Sequence, residues 1–144
     1  MYWNTYVQVA SDFTTDGTTN QQSVTGLTFA ASANTKYEIE VVLLGQSSTS
    51  AGLTMGINFS AAGATGTHIA IGQTSAAGTV AAGSNLIGTL QGIFWAVATT
   101  DLCTCFKGIV IIGANSGNIT VDVKKTTSGT ATIRSRSVMK IKKL

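Results

Sequence analysis

Proline is absent from all 144 residues, and only 10% of them are charged. Sharp bends must therefore come from Gly, Asn and Asp, which tolerate positive φ or bond to their own backbone. Glutamate occurs only at Glu38 and Glu40. Such scarcity argues against long surface helices, which draw on Glu, Lys, Leu and Arg for their exposed faces. One histidine and six carboxylates, scattered from Asp12 to Asp122, are too few and too dispersed for ordinary acid–base chemistry, so no enzyme is expected. No run of 18 apolar residues occurs, and no helix inserted in a membrane is expected. Met1 is followed by Tyr2, Trp3 and Asn4, not by a basic patch and an apolar stretch, so no secretion signal is expected.

Cysteine is nearly as rare. Cys103 and Cys105 stand two apart, which on a strand places them on one face, but a direct disulfide between them would close a tight, distorted ring. A structural zinc site needs four ligands and only His68 remains to help. The pair reads as two buried small apolar residues, free thiols in keeping with synthesis in a reducing cytoplasm. Neither metal nor cofactor is expected.

What is present is patterned for sheets. Leu, Ile, Val and Phe make up a quarter of the chain, above the fifth below which chains tend to stay disordered, and the length is that of one domain over residues 1–144. Apolar and polar residues alternate at 37–41, 53–59 and 119–124, the period of a strand with one wet face. Residues 42–44 turn continuously apolar and read as fully buried. Further strands are expected near 5–10, 23–30, 67–72, 91–98, 105–113 and 130–142, about nine in all. Asp16-Gly17, residues 113–117 around Asn115, and Ser128-Gly129 supply turns. Residues 73–85 read as a long surface loop. The one helical candidate, residues 84–98, carries Gly88 and Gly92 and lacks a charged face, so strand is preferred. An all-β antiparallel sandwich follows.

Candidate sites are few. His68, in Gly66-Thr67-His68-Ile69-Ala70-Ile71, stands opposite the apolar face of its strand and reads as exposed. A catalytic role would need a nucleophile and an orienting acid, and no G-x-S-x-G motif occurs. Seven of the nine basic residues lie from Lys124 onward, with no acid after Asp122. Alternation puts Arg134, Arg136, Lys140 and Lys142 on one face of a last strand, with Ile133, Met139 and Ile141 on the other. Such a stripe fits either a polyanion or acidic partner or a sheet edge kept soluble by charge. The edge reading is preferred, and nucleic acid is not expected, because no stacking aromatics interleave with the bases. Tyr2, Trp3 and Tyr6 crowd the amino end, where they dock onto their own domain or anchor another subunit. Trp95, flanked by Ile93, Phe94 and Val97, reads as core rather than as a platform for a sugar. Low charge suits packing against copies of the same chain, since few ions need desolvating. A homotrimer is expected.

Residues 6–15 (YVQVASDFTT), 24–29 (VTGLTF), 33–40 (ANTKYEIE), 108–113 (GIVIIG) and the ending 138–144 (VMKIKKL) resemble small β-rich virion proteins of tailed bacteriophages. The likeness runs over most of the chain outside residues 73–100 and rests on texture and segment order. It implies a jelly-roll-like antiparallel sandwich, commonly trimeric, that serves as a capsid decoration (cement) protein or as a tail-fibre or tail-tip module. No catalytic residues carry over. A chain that starts at Met and holds one domain favours the free-standing decoration protein. It would bridge the major capsid protein or other virion proteins, held there by an interface of the amino-terminal Tyr2, Trp3 and Tyr6 and the basic stripe of Arg134, Arg136, Lys140 and Lys142, be made in the host cytoplasm and reside in the virion. The tail-tip alternative would bind a host receptor or glycan.

Overall fold

Alternation of buried and outward residues runs unbroken along the longest strand of the protein, Lys36–Ser47, and the same period recurs in most of its neighbours. The computed structural model describes residues 5–48, 52–74, 80–95 and 100–144. Tyr2 and Trp3 lie outside them, as do residues 96–98 of one expected strand. Among the described residues twelve strands follow in order, all paired antiparallel: β1 (Thr5–Gln8), β2 (Phe13–Thr14), β3 (Gln21–Ala31), β4 (Lys36–Ser47), β5 (Leu53–Phe59), β6 (Thr65–Gln73), β7 (Val80–Leu86), β8 (Gln91–Phe94), β9 (Leu102–Ile111), β10 (Gly117–Lys125), β11 (Ala131–Ile133) and β12 (Val138–Lys143). No helix occurs among the described residues.

The pairing has a simple logic. β1 pairs with β12, β3 with β10, β4 with β9 and β5 with β8, so the chain behaves as one long hairpin rolled up on itself. Successive pairs fall alternately into two sheets, β1-β12-β4-β9 and β3-β10-β5-β8. This is the strand order of a jelly roll, an eight-stranded double-sheet sandwich. At the tip of the roll the β6–β7 hairpin is inserted, and β6 docks on β9 to extend the larger sheet. β11 adds to the end of β4 and carries the two-residue β2.

The core fills the space between the sheets. Ile39, Val41, Leu43, Phe106, Met139 and Ile141 point in from the larger sheet, and Leu53, Met55, Ile57, Ile119, Val121 and Val123 from the smaller. Gly45 shows how tightly one end closes: a Cβ there would meet the carbonyl oxygen of Thr132 and stand 2.7 Å from Cζ3 of Trp95. Trp95, with φ 55°, is wholly buried.

Several expectations are corrected. Residues 42–44 are not continuously buried; Val42 and Leu44 face outward, half covered, because β4 keeps its period to its end. The stretch expected as a surface loop contains β7, whose Ala, Gly and Ser residues show no hydrophobic period but pair with β6 in an unshifted register. The expected strand 130–142 is two strands, with a turn at residues 134–137 closed by the Ser137 amide donating to the Arg134 carbonyl at 2.9 Å. The expected turns hold: Gly17 and Gly129 have positive φ, and the Asp16 carboxylate accepts from the Thr18 amide at 2.9 Å.

Candidate functional site

The outer face of the larger sheet can be built row by row from its register. One row runs Tyr6, Lys140, Glu40, Lys107, Ile69, Ser84 across β1, β12, β4, β9, β6 and β7. A second runs Gln8, Val138, Val42, Cys105, Ile71, Ala82, and a third runs Lys142, Glu38, Ile109, Thr67, Leu86. The face therefore has two halves. Toward β12 and β4 it is charged and internally paired, three lysines on two glutamates: Lys140 pairs with Glu40 at 2.9 Å, while Lys107 and Lys142 reach Glu38 at 3.3 and 3.6 Å. Toward β6 and β7 it is aliphatic and open, with Ile69 and Ile71 each 50% exposed and Leu86 64%. Between the halves lies a shallow groove of about 260 Å³, walled by Glu40, Val42, Ile69, Ile71, Cys105 and Lys107.

This placement overturns three expectations. His68 is buried and Ile69 and Ile71 are exposed, the reverse of the phase read from the sequence. In β6 the inward positions are Gly66, His68, Ala70 and Gly72; two glycines, an alanine and a polar ring signal no core face, and a one-residue change of phase turns every side chain over. Room for the imidazole comes from Gly108 opposite it, where a Cβ would stand 2.7 Å from the His68 Cβ. The ring lies 5.9 Å from that of Phe106, and neither nitrogen has a hydrogen-bond partner among the described residues. Burial pushes its pKa below the ordinary 6.5.

The cysteines, expected in the core, face out. Cys105 is exposed and Cys103 half-buried, because Thr104 between them takes the inward position. Their sulfurs are 4.0 Å apart. Burial, and then the neighbouring thiol, pushes the Cys103 pKa up to about 11.

The basic stripe is dispersed. Lys140 and Lys142 lie on β12, an inner strand between β1 and β4 rather than a sheet edge, and both are paired with glutamates. Arg134 and exposed Arg136 sit in the turn before it. The Arg134 Nε donates to both carboxylate oxygens of Asp101, at 2.9 and 3.1 Å, and Nη1 to Asp12 at 2.8 Å. That guanidinium, with the Ser135 amide, holds the Asp12 carboxyl below its usual range. Of the expected interface residues, Tyr6, Lys140 and Lys142 thus share the outer face, Arg134 fastens loops at its end, and Arg136 stands exposed in the turn.

Two buried polar centres escaped the sequence reading. Asp122, on the outer side of the smaller sheet, accepts from Gln21, Ser23, Asn58 and Thr120 at 2.6–2.8 Å. Lys125 turns into the end of the core and donates to Ser47 Oγ and, at 3.4 Å, to the Gly52 carbonyl; burial lowers its pKa. Ser47 and Lys125 are both buried. The phase of Thr120 and Asp122 was readable, but their partners come from strands up to 101 positions away.

No protein-family model and no curated protein matches the chain. Two solved structures, titled as infectious bursal disease virus of the Gx strain and of the Gt strain, align with 95% of this chain at 12% and 14% identity and a TM-score of 0.28. The chain spans 38% and 36% of the length of those chains. A superposition that loose establishes neither a common fold nor a common role.

Proposed function

We propose that the chain is a structural protein of a virus particle, a capsid decoration protein of the tailed-phage kind. It binds the major capsid protein or neighbouring virion proteins through the outer face of the larger sheet, and it assembles with copies of itself as a trimer. The observation that carries this reading is the open aliphatic half of that face, with Ile69, Ile71 and Leu86 at least half exposed beside charges already paired within the chain. Exposed apolar patches rimmed by polar residues mark contact sites. Burial returns about 25 cal/mol per Å² of apolar area before association costs are subtracted. Because Glu38 and Glu40 are already neutralised, docking strips water from few uncompensated ions.

Jelly rolls also serve lectins and small-molecule domains, so the fold supports the reading only by analogy. In the tail-tip alternative, residues 73–85 would meet a host receptor or glycan; Trp95, the one aromatic near them that could serve as a sugar platform, is buried, as its apolar neighbours suggest. The experiment is thermal melting of capsids with and without the protein. Decorated shells melt higher, and Ile69→Asp with Ile71→Asp abolishes both binding and the shift; equal melting with no binding to shells overturns the reading.

A further inference from the structure

We propose that Cys103 and Cys105 form a dithiol clasp on the outer face of the larger sheet that captures thiophilic centres requiring two sulfur ligands, a soft metal ion or a trivalent arsenical. Three observations converge on this site. First, β9 is paired on both sides, with β4 and with β6, in registers that run without a shift. The backbone beneath the two thiols is thus fixed, and buried Thr104 keeps both sulfurs on the same outward side. Second, the sulfurs stand 4.0 Å apart. Two thiolates on a tetrahedral ion, each about 2.3 Å from it, lie about 3.8 Å apart, so capture needs only a small adjustment. A disulfide would need closure to about 2.0 Å in a strained ring. Third, Cys105 opens onto the groove walled by Val42, Ile69 and Ile71, which offers apolar cover for an organic substituent on the captured centre. The Gln73 side chain, accepting from the Cys103 amide at 2.9 Å, ties the end of β6 to the same place.

The chemistry balances without an oxidant. An aryl arsine oxide forms two As–S bonds and loses its oxygen as water, which carries away both thiol protons; arsenic stays trivalent. A divalent cation displaces the same two protons. Metal uptake releases those protons and so tightens as pH rises.

The test uses the reduced, folded protein with phenylarsine oxide, followed by mass spectrometry, and with cadmium, followed by the ultraviolet thiolate-to-metal absorption. One arsenical per chain is expected, retained against excess monothiol and released by a small dithiol. Cadmium saturates at one per chain. Cys103→Ser and Cys105→Ser, both outward substitutions, each weaken retention about a hundredfold, the value of an effective concentration lost. The proposal is overturned if monothiol strips the wild type as readily as either variant. It also fails if the urea-unfolded chain holds the arsenical as tightly as the folded one, or if cadmium saturates at one per two chains.

Discussion

On the smaller sheet, the outward polar residues of β3, β5 and β10 turn toward one another, with Gln21, Ser23, Asn58 and Thr120 all donating to a buried Asp122. On the larger sheet, the outward charged residues of β12, β4 and β9 likewise pair across strands, but β6 and β7 present Ile69, Ile71 and Leu86 to the surroundings. The same pleated geometry thus yields a face that satisfies itself across β3, β5 and β10 and one that leaves apolar area uncovered across β6 and β7. An unmet requirement of that kind is where a partner gains most, since burying aliphatic surface needs no exchange of hydrogen bonds.

Removing Asp122 breaks the self-satisfied face and carries the largest expected effect. Asp122→Ala leaves the buried Thr120 hydroxyl and the half-buried Asn58 amide without their acceptor, while exposed Gln21 and Ser23 turn to water, and costs about 2–3 kcal/mol in urea unfolding; Asp122→Asn keeps part of the network and loses less. Gly45→Ala presses a methyl between the Thr132 carbonyl and Trp95 and costs about 1–3 kcal/mol. It serves as an inward control on β4. His68 sharpens the comparison on β6, directly behind the exposed isoleucines. Its folded pKa lies below 6.5, so the folded protein binds fewer protons than the unfolded chain as pH drops through that value. Its contribution to stability is complete above 6.5 and declines as pH falls toward the folded pKa. His68→Leu should flatten the unfolding curve in that window, while the losses from Asp12 and Asp16, both lowered from 3.8, begin only at lower pH. The smallest effect belongs to Ile71→Thr, expected within about 0.5 kcal/mol of wild type, although it weakens capsid binding. A large loss of stability there would mean that the aliphatic half is part of the core.

Much of the architecture was legible because its signal is local. The alternation in residues 37–41 and 53–59 marks strands with one wet face, and missing proline with scarce Glu excludes a helical protein. The rolled-up pairing was not legible, since β1 finds β12 across nearly the whole chain. At the candidate site, reading failed where residues are small: Gly66, Ala70 and Gly72 carry no hydrophobic signal, so Ile69 and Ile71 were assigned to the core and His68 to solvent. The basic stripe misled for a related reason. Composition counts charges, but the neutralisation of Lys140 by Glu40 depends on a partner 100 positions away.

Docking through the aliphatic half is most directly tested by cosedimentation with undecorated capsids of two variants that differ only in the face they alter. Ile71→Asp places a charge among the exposed aliphatic residues of the larger sheet, and Ala30→Asp places one on the exposed outer side of the smaller sheet. Loss of shell binding by the first and wild-type binding by the second is the predicted result; binding lost only by the second, or by neither, would contradict it.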